Sequence, residues 1–134
     1  MRIKVLPHSE LDKRTLQELD VAFAQAFPGS RITYSNKPVI SPHSLNPGRG
    51  QFNSTLILQF LHSSIEKSED EKILVFEPVD LYANHLNFVF GEADSSTGFA
   101  VISTYRLIPE LYGEDHRTKL FLNRLVKEAV HELG

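Results

Sequence analysis

The sequence predicts an α/β (α+β) domain: a mixed, twisted five-stranded sheet with an antiparallel edge strand, packed by three helices. Three observations carry this expectation. Apolar residues recur at helical spacing in three segments of the 134-residue chain. Short apolar runs of strand type lie between those segments. The last two runs, "LNFVFGEAD" and "GFAVISTYRL", are joined by the polar turn "SST" with Gly98 beyond it, a spacing that suits an antiparallel pair. The resulting order is β-α-β-α-β-β-β-α, for which a sheet covered by helices is the natural solution.

Each element has its own signal. "IKVLP" is a short apolar strand, expected over 2–6 and stopped by Pro7. Ser9 opens a helix over 9–27, where Leu11, Thr15, Leu16, Leu19, Ala22, Phe23 and Phe27 share one stripe and Pro28-Gly29 ends it. "RITYS" at 31–35 reads as a strand. "NKPVISPHSLNPGRGQFN" carries three prolines and two glycines, so a long loop or irregular excursion is expected there. Asn53-Ser54 starts a second helix over 54–67, with Leu56, Leu58, Phe60, Leu61 and Ile65 mostly inward. "SEDEK" is a solvated turn. Strands follow at 72–79, 87–93 and 99–106, and a last helix at 116–133 has Leu122, Leu125, Val126, Ala129 and Leu133 on one stripe.

Composition narrows the function. Hydrophobic residues make up 41% and charged residues 23%, as in a folded domain rather than a disordered one. The formal charge of −3, with no Lys/Arg cluster, offers no footprint for nucleic acid. No run is apolar and long enough to span a bilayer, and the N-terminus lacks a signal-peptide core, so a cytoplasmic location is the simplest expectation. The chain has no cysteine, which excludes disulfides, thiolate catalysis and a Cys-built zinc site within it.

The candidate chemistry lies at the end of the chain, in "KEAVHELG". A helix that offers His at i and i+4 sets both imidazoles on one face, within reach of one zinc ion. A Glu at i+1 can then take a proton from zinc-bound water as general base. His131, Glu132, Leu133 and Gly134 supply H-E-x-x of that H-E-x-x-H pattern. Taken alone, the four residues also fit a solvated polar pair before a C-terminal glycine.

Longer stretches add to this. "VDLYANHLNFVFGEAD", "AVISTYRLIPELYG" and "RLVKEAVHELG" resemble the archaemetzincins, a metzincin family of zinc peptidases, and "NPGRGQFNSTLILQFL" is similar to that family's R-G-Q segment leading into a helix. The resemblance covers essentially the whole chain, in order. It implies a zincin-like fold of which residues 1–134 are the single N-terminal (upper) subdomain, with the C-terminal lower subdomain absent. It implies a zinc metallopeptidase of endopeptidase or aminopeptidase type, hydrolysing peptide bonds with zinc-activated water. His131 carries over as metal ligand and Glu132 as the catalytic general base, and Gly134 matches the glycine usual before the second ligand. The second and third His ligands, the Met below the metal and the cysteines of a structural zinc site would lie beyond residue 134.

Three further expectations follow. Zinc belongs to the intact family, and this chain alone is expected to be inactive and to hold none specifically. The partner is a peptide or protein substrate, which in metzincins pairs with the antiparallel edge strand by β-augmentation. By element order Phe90, Gly91, Glu92 and Ala93 would bind it, with Gly91 suited to a bulge or close backbone approach. Truncation would expose an apolar patch around Leu125, Ala129 and Leu133, giving a route to self-association. The alternative is a non-catalytic peptide- or protein-binding module that retains the cleft edge strand.

Other residues carry weaker signals. His116 lies fifteen residues before His131, roughly 22 Å along a straight helix, too far to share an ion. Nothing in the sequence brings His8, His43, His62 or His85 to His131. Glu92 and Asp94 would share one strand face, read here as solvent-exposed, with Asp94 opening the turn rather than forming a catalytic carboxylate pair. "NPGRGQ" lacks the Walker lysine and serine, so Arg49 is expected to tie down a loop. Arg106 and Tyr112 are expected to anchor the entry to the last helix. Ser54 and Ser103 lack the context of a nucleophile.

Overall fold

The computed structural model describes residues 2–7, 13–36, 42–105, 127 and 131–132. The main sheet has five strands in the order β2-β1-β5-β8-β7, formed by β1 (Arg2–Leu6), β2 (Arg31–Tyr34), β5 (Glu71–Glu77), β7 (Gly91–Asp94) and β8 (Phe99–Ser103). β1 pairs in parallel with β2 and β5, and β5 in parallel with β8. β7 runs antiparallel to β8 and closes the sheet as an edge strand. The mixed sheet with its antiparallel edge is the expected fold.

The central strand explains why the sheet takes helices on both faces. "ILVF" in β5 is apolar without alternation, as expected of a strand buried on two sides. Leu74 and Phe76 join Ile3, Val5, Ala100 and Ile102 under helix α1 (Lys13–Ala26), which contributes Leu19 and Phe23. Ile73 and Val75 join Phe99 and Val101 under helix α2 (Ser54–Ser64), which contributes Ile57, Leu58 and Leu61. The inward set of α2 differs by one position from the expected one, since Leu56 is exposed and Ile57 takes its place. α2 also ends three residues early. Ser63 and Ser64 are weak helix formers, and Ile65 turns extended while its N–H still bonds to the Leu61 carbonyl.

The excursion before α2 is more ordered than its prolines suggest. A 3-10 turn (Pro42–Ser44) leads into β3 (Leu45–Asn46) and β4 (Gln51–Asn53), which with β6 (Leu81–Tyr82) form a second, three-stranded sheet. Of the expected third helix, only Lys127, His131 and Glu132 lie among the described residues, and these are helical. Two α-helices therefore lie among the described residues where three were expected, and residues 9–12, the expected start of the first, lie outside them. The stripe of Leu122, Leu125, Val126, Ala129 and Leu133, its surface patch, and Arg106 and Tyr112 lie outside the described residues.

The turn between β7 and β8 shows how a short loop sets the edge. Asp94 accepts from the N–H of Ser96 through its side chain (3.0 Å) and from Gly98 N–H through its carbonyl (2.9 Å). Gly98 has φ +78°, the left-handed residue that closes the four-residue loop between Asp94 and Phe99.

Candidate metal centre

β7 is shorter than the strand expected at 87–93. Residues 87–90 instead cross from the small sheet, with the Val89 N–H on the Leu81 carbonyl at 2.9 Å, before pairing begins. The register then decides which backbone groups face outward. Ser103 N–H donates to the Phe90 carbonyl at 2.8 Å, and β7 pairs Gly91 with Ile102 and Glu92 with Val101. In an antiparallel ladder hydrogen-bonded and non-bonded pairs alternate. Phe90 and Glu92 therefore turn their backbone groups toward β8, and those of Gly91 and Ala93 point away from it. Of the four residues expected to meet substrate, two offer main-chain groups at the open edge. No described strand pairs with that side.

Side-chain direction divides the strand differently. Glu92 and Asp94 share one face, as their spacing requires, and with Thr55, Leu58 and His62 they line a groove of about 290 Å³ against α2. The expectation that this face is solvent-exposed fails for Glu92. Its carboxylate is half-buried over the first turn of α2, where it accepts from the Ser54 hydroxyl at 2.5 Å and from the Thr55 hydroxyl at 2.9 and 3.0 Å. A carboxylate beside a helix N-terminus is also favoured by the helix dipole. Asp94 turns to its own loop, and the Ser96 hydroxyl and N–H hold its carboxyl below the usual carboxylate range. The two acids thus have separate structural duties.

Gly91 lies on the opposite face, and there it meets the helical segment carrying the His-Glu pair. A Cβ added to Gly91 would stand 3.3 Å from Glu132 Cγ and 3.3 Å from Ile102 Cγ1. A side chain at this position would crowd both, so glycine suits the close approach of the segment. The Glu132 side chain is 9% exposed and that of His131 is 76% exposed. Glu132 is thus held against the strand while His131 opens outward.

His131 Nδ1 lies 3.1 Å from Glu132 Oε1. In the tautomer where Nδ1–H donates across that contact, Nε2 keeps its lone pair, the arrangement of a metal-binding imidazole. His131 therefore fits as one zinc ligand. A catalytic zinc takes three protein ligands, and among the described residues no group of three or more His, Cys, Asp or Glu could hold an ion. His62 sits against the Phe99 ring instead, edge-on at 5.9 Å. Among the described residues, then, His131 offers one imidazole of suitable chemistry, with no second or third candidate ligand grouped with it.

A family model described as Peptidase family M54 matches residues 37–134. The chain belongs to this family. It is 41% identical over 134 residues to the archaemetzincin of Methanocaldococcus jannaschii, covering 100% of this chain and 71% of that protein. The archaemetzincin of Pyrococcus abyssi is 43% identical over 93 residues, which are 69% of this chain and 49% of that one. Among solved structures, archaemetzincin from Archaeoglobus fulgidus, complexed with malonate, superposes with a TM-score of 0.76 at 31% identity, over 99% of this chain and 75% of that chain. A zinc-dependent peptidase from Methanocorpusculum labreanum gives 0.76 at 26% identity, over 98% and 78%.

The M54 chain also holds features that residue-by-residue reading missed. Arg49 does tie down a loop, as expected, donating to the carbonyls of Leu86 and Asn87. That its target is the loop at Leu86 and Asn87, and that Gln51 joins it there, is hidden in the sequence, because nothing in either segment signals the other. The bond from Ser54 to Glu92 was equally hidden. Ser103 is buried and donates to the Val79 carbonyl at 2.6 Å, a structural serine rather than a nucleophile.

Proposed function

We propose that this chain forms the upper half of a zinc metallopeptidase cleft. His131 is one ligand of the ion, Glu132 is the general base, and the outer edge of β7 receives the substrate backbone. The observation that carries the reading is the approach of Gly91 to Glu132, which sets a peptide-pairing edge directly beside an acid–base carboxylate. The ion, when bound, would supply Lewis acidity toward water and carbonyl. Glu132, packed against β7 and hardly open to solvent, would take the proton and return it to the leaving amine. Gly91 and Ala93 would hold the peptide extended by main-chain hydrogen bonds, largely independent of its side chains.

The relatives are longer than this chain, and the proposal places the remaining zinc ligands in the length they have in addition. It follows that the chain by itself is inactive and acts on peptide or protein only as part of such a polypeptide. No described helix is long and apolar enough to cross a membrane, and the proposal includes a cytoplasmic setting. The test is hydrolysis of a fluorogenic peptide by a polypeptide in which this chain continues to the length of the Methanocaldococcus jannaschii relative. Glu132→Ala is expected to lower turnover by roughly 10²–10⁴-fold, the usual contribution of a general base. Turnover unchanged in that variant would refute the assignment of Glu132.

A further inference from the structure

Two side chains outside the His-Glu pair converge on the loop that feeds the edge strand. The Arg49 Nη2 group donates to the Leu86 carbonyl at 3.0 Å and the Asn87 carbonyl at 3.1 Å, and Nε donates to Gln51 Oε1 at 2.8 Å. The guanidinium also lies 4.0 Å over the Tyr82 ring. Gln51, only 7% exposed, donates from Nε2 to the Asn87 carbonyl at 2.8 Å and to Asp80 Oδ2 at 2.9 Å. Both amide protons and the amide oxygen of Gln51 are thereby used, as a buried amide requires. Three N–H donors close on two consecutive carbonyls, which lie just upstream of Gly91.

What this anchoring holds in place is unusual for a surface loop. Phe88 and Phe90 are 36% and 37% exposed, stacked edge-to-face with centroids 5.3 Å apart, and Leu86 is 56% exposed. The loop carrying them is pinned at Leu86 and Asn87 by Arg49 and Gln51, and at Val89 and Phe90 by backbone bonds to Leu81 and Ser103. It runs straight into Gly91, whose backbone groups face outward. A rigid apolar ledge is thus continuous with the open sheet edge.

We infer that Arg49 and Gln51 are positioning residues for substrate, fixing the Phe88–Phe90 ledge and the start of β7 so that the edge can accept an extended peptide with apolar side chains. The inference rests on the reading that β7 pairs with substrate. Arg49 and Gln51 touch neither the peptide nor Glu132; they act by removing freedom from residues 86–91. A planar guanidinium is needed because two adjacent carbonyls and the Gln51 oxygen are addressed from one rigid fork, which an ammonium reproduces only in part.

The test titrates the whole isotope-labelled chain with the blocked pentapeptide acetyl-Thr-Phe-Thr-Phe-Thr-amide, following the amides of Gly91 and Ala93 by NMR, with hydrogen exchange measured in parallel. In Arg49→Ala and Gln51→Leu, affinity should fall about tenfold and exchange at the Val89 and Ser103 amides should rise about tenfold, with Val75 and Val101 unchanged. Arg49→Lys should be intermediate, and it serves as the second variant if Arg49→Ala folds poorly. Variants that bind the peptide like the parent chain overturn the inference. So does exchange that accelerates uniformly across the sheet, since that marks a general loss of stability. A parent chain that does not bind at Gly91 and Ala93 overturns the edge reading itself, and with it any role of Arg49 toward substrate.

Discussion

Gly91 on the sheet edge and Glu132 on the helical segment beside it are in direct apposition: a Cβ on Gly91 would stand 3.3 Å from Glu132 Cγ and 2.7 Å from the Val101 carbonyl oxygen. The second distance is closer than a real Cβ tolerates, and the atom it meets is backbone, which cannot swing aside. Gly91→Ala is therefore expected to destabilise the fold by about 1–3 kcal/mol, the usual cost of overpacking. Urea unfolding of the two proteins checks it, and a loss below about 0.5 kcal/mol would mean the strand shifts freely.

Glu92 links the same strand to the other helix layer. Removing its carboxylate takes the 2.5 Å acceptor from the Ser54 hydroxyl, on a residue 0% exposed, and leaves it the Tyr82 carbonyl at 3.3 Å. Glu92→Ala should cost about 1.5–3 kcal/mol, as for hydrogen bonds to a charged group, and Glu92→Gln less because its amide oxygen can still accept. Chemical denaturation of both variants gives the ranking. Equal losses in the two would show that an amide oxygen cannot stand in for the carboxylate, and no loss in either would show that the bonds to α2 contribute nothing.

Acid should weaken the β7–β8 turn through Asp94. Its carboxyl is held below the ordinary range chiefly by the Ser96 hydroxyl, then by the Ser96 N–H. A group whose folded pKa is depressed stabilises the fold above its unfolded pKa of about 3.9, and that stabilisation is lost as pH falls through the folded value. The stability difference between the parent chain and Asp94→Asn should accordingly be constant above about pH 5 and close at lower pH. Ser96→Ala should reduce the difference. Urea midpoints measured across that range decide it, and a difference independent of pH would show that Asp94 titrates alike in both states.

Much of this architecture was legible in local pattern. The unbroken apolar "ILVF" of β5 announces a strand buried on both faces, and "SST" followed by Gly98 announces the hairpin that makes β7 antiparallel. His131 and Glu132 were found as adjacent residues on a helix. The small sheet was not legible, because strands as short as Leu45–Asn46 and Leu81–Tyr82 are too brief for periodicity to register. Nor was the half-burial of Glu92, since alternation places it on a face but says nothing about which helix covers that face. Residues 87–90 look like strand by composition, yet Arg49 and Gln51, distant in sequence, hold the carbonyls of Leu86 and Asn87 at their start. Contacts of that kind are tertiary facts.

Zinc titration calorimetry tests the half-cleft account most directly. The chain as it stands should bind zinc no more tightly than an isolated surface imidazole, because one ligand cannot offset dehydration of the ion. Continued through His-x-x-Gly-x-x-His after Gly134 to the length of its relatives, the polypeptide should bind a zinc at the His131 site tightly, beside any structural zinc, and His131→Ala should abolish that one equivalent. Stoichiometric, submicromolar binding by the 134-residue chain that vanishes in His131→Ala would contradict the account, since the chain would then complete a zinc site from its own residues.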